Sequence, residues 1–522
     1  MKKIIFTLFL AAILGTVGAQ NAKIKIDIDR TIGQIDPNLY SNFVEHLGRC
    51  VYGGIYEPGS PLSDTNGFRK DVLEAVKGLN VALVRYPGGN FVSNYNWMDA
   101  VGPVRRPRMD YAWQRLETNI FGTNEFVKWC RTVGSEPFMC VNLGTGTIQE
   151  VQAWVEYCNA NSGSYYSNLR KEHGVNEPHH IKYWALGNEM DGPWQMGHLN
   201  AEDYVKKARE ASKLMRLVDP SIKLIAAGSS NYGRDADPYH WNRTILQGLY
   251  PNIDYIALHM YVGNREDNYY HFMSTPTVMD TRTQIVRNML SEQQQRTNKR
   301  TPVYIAWTEY NVWYRANEGA STVGVNALEE RYNLEDALVV AGFLNVFVRN
   351  ADIVKMANMA QLVNVIAPIF TNESSLFLQT IYYPLQLFAQ NVKGTSLDVL
   401  VDSPTYSVNT STVAASERLV QQGTEVPYLD VSSAINGNEI VICVVNRNKD
   451  SAITTDIISQ EGSFAGNFEV YEVNGPDIKS MNDFGVTNVK TAKKDDIRAS
   501  GKEIKYSFAP HSFTLLKGRI NR

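Results

Sequence analysis

Two glutamates stand where apolar strands give way to loops. Residues 181–186 read as a buried strand that breaks into Gly187-Asn188-Glu189-Met190-Asp191, and residues 302–307 read as a second that breaks into Thr308-Glu309-Tyr310-Asn311. Asn, Asp and Gly dominate turns, so either break alone reads as a turn. Two carboxylates at two strand ends, each beside an Asn and aromatic residues, fit a more specific need. Cleaving a glycosidic bond takes one carboxyl as acid and a second as nucleophile or base, flanking a sugar held on an aromatic surface.

The elements that must position this pair are legible as alternating short strands and amphipathic helices. Strands are expected at 40–44, 82–86, 137–141, 181–186, 223–227, 255–259, 303–307 and 356–362; helices are expected at 68–79, 124–133, 148–159, 201–218, 281–295, 334–348 and 376–392. Eight such strands make an α/β fold of the (β/α)8 TIM-barrel type, with a doubly wound open sheet as the alternative. The barrel reading predicts that polar residues collect at the strands' C-terminal ends. Those ends carry Glu45, Arg85 with Asn90 in the following loop, Asn142, Asn188 with Glu189, Ser229-Ser230, His259 with Tyr261, Glu309 and Gln361.

On strands four and seven, Glu189 and Glu309 face each other across the barrel mouth, which permits carboxyl groups about 5 Å apart, as retaining glycosidases use. Arg85 and the Tyr261 phenol are the expected donors to Glu309, keeping it ionised as nucleophile. Glu189 is then the neutral acid, its pKa raised by the charge of Glu309. Asn188 suits a donor to the sugar's 2-hydroxyl.

After about residue 394 the helical rhythm stops. Seven short β-rich runs between 396 and 517, separated by Gly, Asn, Pro and Asp, read as an antiparallel β-sandwich of the jelly-roll kind, which the strand at 24–28 can join. Its default role is to pack on the barrel, the alternative being a separate carbohydrate-binding function. The organisation read from the sequence is a signal peptide at 1–19, an N-terminal strand segment at 20–39 belonging to the sandwich, a catalytic barrel at 40–394 and a C-terminal sandwich at 395–522.

Met1-Lys2-Lys3, an almost wholly apolar run to Val17 and the small residues Gly18-Ala19 make the expected leader, cut after Ala19 and directing the chain to the periplasm or the extracellular space. No other stretch is long enough to span a membrane, so no stable insertion is expected after cleavage. The net charge of −3, or −5 without Lys2 and Lys3 (−3 − 2), offers no basic face for nucleic acid. Cys50, Cys130, Cys140, Cys158 and Cys443 form no metal-ligand spacing and read mainly as buried thiols, although an exported chain could bridge two of them. His179-His180 lacks partners for a metal, and Gly144-Thr-Gly-Thr147 lacks the spacing of a phosphate loop, so neither a metal nor a cofactor is expected.

Several long motifs resemble the α-L-arabinofuranosidases of glycoside hydrolase family 51. They are Glu45-His-Leu-Gly-Arg-Cys-Val-Tyr-Gly-Gly-Ile-Tyr-Glu-Pro58, Val84-Arg-Tyr-Pro-Gly-Gly-Asn90, Gly187-Asn-Glu-Met-Asp-Gly-Pro-Trp-Gln195, His259-Met-Tyr261, Glu309-Tyr-Asn-Val-Trp313 and Ala360-Gln-Leu-Val-Asn-Val-Ile-Ala-Pro368. The resemblance implies a retaining, exo-acting hydrolase with Glu189 as acid/base and Glu309 as nucleophile. It implies that Glu45, Asn90, Asn188, Tyr261 and Gln361 hold the arabinofuranosyl ring and that Trp113 meets the leaving sugar. It further implies an arabinose-containing oligo- or polysaccharide (arabinan, arabinoxylan or their fragments) as substrate and a homo-oligomeric assembly. Thr308-Glu309-Tyr310-Asn311 departs from the family's more usual Asp-Glu-Trp-Asn, and Asn94 and Ala100 stand where Gly is usual. These departures leave the glutamates untouched and bear on the leaving-group side. The rival readings are a related barrel glycosidase, such as an endoglucanase or β-xylosidase, and a non-catalytic sugar-binding protein.

Overall fold

The computed structural model of the chain describes residues 20–161, 163–315 and 321–521; the expected leader, 1–19, lies outside them. Eight parallel strands close into a barrel: β1 (Ser41–Phe43), β2 (Leu83–Tyr86), β3 (Glu136–Cys140), β4 (Tyr183–Leu186), β5 (Lys223–Ala226), β6 (Tyr255–Val262), β7 (Tyr304–Val312) and β8 (Val354–Ala360). Side chains alternate across each strand, so every second residue points inward. Leu83, Phe138, Tyr183, Ala185, Ile225, Tyr255, Ala257, Ala306 and Met356 fill the barrel interior. Their neighbours Val84, Met139, Trp184, Leu224, Ile256 and Trp307 belong to the larger core shared with the surrounding helices. The same alternation turns Arg85 on β2, and His259 and Tyr261 on β6, toward the barrel axis above that filling.

Among the surrounding helices, Leu334–Arg349 is buried almost all round, because the barrel covers one side and the second domain the other. Its Asn345 donates to the Asp430 carbonyl at 3.1 Å and accepts from Ser432 Oγ at 2.6 Å, while Arg349 forms an ion pair with the buried Asp430 carboxylate. The second domain is a nine-stranded, mostly antiparallel sheet curled around its own core of Ile24, Ile26, Ile442, Val444, Ile457, Phe468 and Leu516. Gln20–Gln34 is one of its strands, antiparallel to Thr395–Asp402 and parallel to Ile453–Ser459.

Several local features differ from the sequence expectation. Pro238–Leu249 is a helix between β5 and β6, capped by the Asp237 side chain on the His240 N–H. The run expected as one helix at 376–392 is divided: Leu376–Leu378 pairs with Ile369–Thr371, and the helix is Tyr382–Asn391. Strands β6 and β7 also continue beyond their expected ends, to Val262 and Val312. All five cysteines are free and buried. No helix among the described residues is long and apolar enough to cross a membrane.

Candidate active site

Glu309 lies within β7 and not at its end, and the local register explains how it faces the site. From Ala306 to Glu309 the strand advances three residues while β6 advances two, from Ala257 to His259; against β8 the same happens between Trp307 and Tyr310. This one-residue bulge resets the alternation, so that the consecutive residues Thr308 and Glu309 both reach inward, while Trp307 and Tyr310 belong to the outer core. Arg85 Nη1 donates to Glu309 Oε1 at 2.7 Å and the Tyr261 hydroxyl donates to Oε2 at 2.8 Å. His259 Nδ1 lies 3.6 Å from Oε2. Burial alone would raise the Glu309 carboxyl, but the imidazole of His259, the Arg85 guanidinium and the hydrogen bonds from Arg85 and Tyr261 outweigh it and hold it below the ordinary glutamate value. Burial would lower Arg85, but the adjoining Glu309 carboxylate raises it, and its guanidinium stacks on the Phe43 ring, 4.5 Å from the centroid.

Glu189 sits on the turn leaving β4, after Gly187 at φ 85°, and itself adopts φ 43°, a left-handed conformation uncommon for a residue with a Cβ. Its Oε1 contacts His259 Nδ1 at 2.9 Å, and its Oε2 accepts from Trp194 Nε1 at 2.6 Å. A carboxylate oxygen of Glu189 lies within 4.8 Å of one from Glu309. Burial raises the Glu189 carboxyl; the hydrogen bond from His259 works against that, and the charge of Glu309 adds to it. The two glutamates are thus driven apart, Glu309 toward the carboxylate and Glu189 toward the acid. Glu189, His259 and Glu309 are close enough to share a cation. The Arg85 guanidinium already occupies the same carboxylate, which opposes a second positive charge there.

A third carboxyl lines the same mouth. Glu45 follows β1 and accepts from the Phe91 N–H at 3.0 Å, Trp113 Nε1 at 3.0 Å and Gln361 Nε2 at 2.9 Å. Burial pushes its carboxyl up to about 8. A Cβ on Gly89 would lie 2.4 Å from Glu45 Oε2, so glycine is required for the loop after β2 to pass this close. Asn90 begins the short 3-10 turn after that glycine and is half-buried. Gln361 is positioned at the end of β8 by Asn311, whose amide donates to the Ala360 carbonyl at 2.6 Å and also to that of Ile366.

Asn188 accepts from Arg85 Nη2 and donates to Gln195 Oε1 at 3.4 Å; Gln195 in turn donates to the Ser93 hydroxyl. Nine of the ten residues expected at the site are joined by these contacts around the mouth formed by β1, β2, β4, β6, β7 and β8 and the loops after them, and Asn90 stands on the loop after β2, next to Gly89. Asn142 and Ser229-Ser230, also at strand ends, brace the loops around the mouth: Asn142 bonds Tyr95 of the loop after β2 as well as Thr145 and Gly146, Ser229 bonds Asn242, and Ser230 bonds Asp191 of the turn after β4. The sequence reading gave no role to Trp194, Gln195 or Ser93, and noted Thr308 only as a departure from the family's usual Asp. Trp194 and Gln195 lie inside the quoted Gly187–Gln195 motif, where an aromatic and an amide close to a carboxylate were the available signal.

Two carboxyls of opposite tendency, Glu309 buried and Glu189 half-buried, at the C-terminal mouth of a (β/α)8 barrel define a barrel glycoside hydrolase. Two family models match the chain, the α-L-arabinofuranosidase 1 domain over residues 75–283 and the α-L-arabinofuranosidase C-terminal domain over residues 308–512. An intracellular exo-α-(1→5)-L-arabinofuranosidase of Halalkalibacterium halodurans is 44% identical over 453 residues, 84% of this chain and 88% of that protein. The intracellular exo-α-(1→5)-L-arabinofuranosidase 1 of Bacillus subtilis is 40% identical over 512 residues, 95% of this chain and 99% of that protein. The crystal structure of a Thermotoga maritima α-L-arabinofuranosidase in complex with arabinose superposes with a TM-score of 0.85 at 37% identity, covering 95% of this chain and 100% of that one. A family 51 α-L-arabinofuranosidase from Bifidobacterium longum has a TM-score of 0.88 at 31% identity, covering 96% of this chain and 100% of that one. The chain belongs to the α-L-arabinofuranosidases of glycoside hydrolase family 51.

The same relatives correct one expectation. Both curated relatives are named intracellular, which contradicts export through a signal peptide cut after Ala19 to a periplasmic or extracellular location. A lysine pair followed by a short apolar run is a compositional signal only.

Proposed function

We propose that Glu189 is the acid/base and Glu309 the nucleophile of a retaining hydrolysis that releases terminal, non-reducing α-L-arabinofuranosyl residues from arabinan, arabinoxylan or arabino-oligosaccharides. The observation that carries the reading is the approach of the two carboxylates to within 4.8 Å in environments that favour opposite protonation states. Inverting enzymes hold their carboxyls about 6.5–9.5 Å apart to admit a water, and retaining enzymes about 5–5.5 Å. With the closer spacing, Glu309 attacks the anomeric carbon directly while Glu189 transfers its proton to the departing glycosidic oxygen. The leaving sugar exits with that proton, and Glu189, now a carboxylate, removes a proton from water. The water oxygen bonds to the anomeric carbon, the ester to Glu309 breaks, and Glu189 is protonated again.

Arg85 and Tyr261 neutralise the carboxylate that leaves in the second step, and Asn188, its carbonyl held by Arg85, is the donor assigned to the 2-hydroxyl. Glu45, Asn90, Gln361 and His259 complete the proposed ring site, and Trp113, whose indole N–H donates to Glu45, is the aromatic assigned to the leaving sugar. Exo action and the α-(1→5) linkage are what the names of the two curated relatives state for those proteins. The test is proton NMR of 4-nitrophenyl α-L-arabinofuranoside hydrolysis, read before the free sugar mutarotates, with the matching β-xyloside and β-glucoside as controls. An α-configured first product, and methyl α-L-arabinofuranoside when methanol is added, is the expected outcome. A β-configured first product, or preference for either control substrate, overturns the reading.

A further inference from the structure

A buried hydroxyl connects the nucleophile's strand to the imidazole between the two carboxyls. His259 Nδ1 is 2.9 Å from Glu189 Oε1 and 3.6 Å from Glu309 Oε2, and its other nitrogen, Nε2, is 2.8 Å from Thr308 Oγ1. Thr308 is 2% exposed and His259 5%, so bulk water does not substitute for either partner. The Thr308 carbonyl also accepts from Arg85 Nη1 at 3.2 Å. Through the β7 bulge, one residue therefore supports two of the groups that face Glu309.

A neutral imidazole has a single N–H. To direct it at the carboxyls, Nε2 must be the bare nitrogen and needs a donor, and a hydroxyl can supply one where a carboxylate or an alkyl group cannot. The groups facing this ring are Glu189 from the turn after β4 and Glu309 from β7; Arg85 of β2, Tyr261 of β6 and Glu45 after β1 bear on it through Glu309. All three are separate from the Thr308 hydroxyl, so a change of that hydroxyl alone is informative.

We propose that Thr308 is a positioning residue for the acid/base: its hydroxyl donates to Nε2 of His259, which fixes the ring hydrogen on Nδ1 and keeps a donor on the Glu189 carboxyl. The inference rests on the reading of Glu189 as the acid/base. The hydrogen bond from His259 opposes the rise of the Glu189 carboxyl, so its loss lets that carboxyl hold its proton to higher pH.

The test is the pH dependence of kcat/KM, whose basic limb reports deprotonation of the acid in the free enzyme. Thr308→Val removes the donor, releases the ring tautomer and moves that limb to higher pH by roughly one unit. Thr308→Ser restores the hydroxyl and returns the limb to the parent position. The displacement with Val and its recovery with Ser separate the role of the hydroxyl from a general structural effect. A basic limb unmoved by Thr308→Val, moved down by it, or left displaced by Thr308→Ser overturns the proposal. The reading of Glu189 is checked separately by the leaving-group dependence of Glu189→Ala, so the two failures are distinguishable.

Discussion

Replacing Arg85 by Met removes one charge while keeping most of the side chain's volume, and the structure fixes the consequences. The guanidinium and the Glu309 carboxylate lie 2.7 Å apart with their side chains 2% and 7% exposed, so neither can recover a solvent shell. Removing one member of such a pair leaves the other charge buried and unpaired, a loss of about 3–5 kcal/mol. The Thr308 carbonyl and the Asn188 amide oxygen lose a donor at the same time. The loss should depend on pH with a definite sign. In the parent, Glu309 lies below its ordinary value, so the stability it contributes is present above the unfolded glutamate pKa of about 4.3 and disappears as pH falls through the folded value. The deficit of Arg85→Met is accordingly full near neutral pH and shrinks in acid.

Function follows the same charge. Without Arg85, burial prevails over the remaining donors, Glu309 ionises later, and the acidic limb of kcat/KM moves to higher pH. Urea denaturation at pH 7 and below pH 4, beside a pH–rate profile, reads both effects. Arg85→Lys should recover part of the stability and less of the activity, because an ammonium restores the charge but not the fork that reaches Glu309 and Asn188 together. A pH-independent deficit below about 1 kcal/mol, with the acidic limb in place, would refute the reasoning.

Glu309→Gln should lower kcat by about 10⁴-fold or more while the protein still gives a cooperative melt, since an amide cannot form the glycosyl ester; substantial turnover in the folded variant removes Glu309 from the nucleophile role. Glu189→Ala should spare the first step for aryl arabinosides with acidic phenols and nearly abolish it for arabino-oligosaccharides, which stopped-flow release of phenol against oligosaccharide hydrolysis measures; equal losses point to another acid. Glu45 is raised to about 8, so in the folded parent it retains a proton that the unfolded chain has released above about pH 4.3, and stability falls between those values by at most about 1.4 kcal/mol per pH unit. Glu45→Gln should remove that slope, so its stability relative to the parent rises from pH 5 to pH 8 in urea titrations; a pH-independent difference means that Glu45 is ionised throughout.

How much of this was legible in the sequence depends on whether a residue's role follows from its own strand or from a neighbour's. Arg85, His259 and Tyr261 face the axis by simple alternation along β2 and β6, and the eight apolar runs fixed the barrel. The divided segment 376–392 was not readable by the same means, because three apolar residues have no period of their own and Leu376–Leu378 becomes a strand only through Ile369–Thr371. The helix Pro238–Leu249 was obscured because its buried face includes Asn242, whose side chain satisfies Ser229.

Glu309 illustrates the distinction most clearly. Its identity as a carboxylate near a strand end was visible, yet strict alternation after Ala306 would have turned Thr308 inward and Glu309 outward. The bulge that brings both inward is a property of how β7 pairs with β6 and β8, information absent from the local pattern. Thr308 accordingly read only as a departure from the family's usual Asp beside the nucleophile, although its hydroxyl meets the imidazole that both glutamates face. One extra residue in one strand therefore sets the nucleophile and the support of the acid/base together. Deleting Trp307 or Thr308 removes the bulge and leaves Glu309 opposite His259 by plain alternation, so it should take away the support of the acid/base while the nucleophile keeps facing the axis.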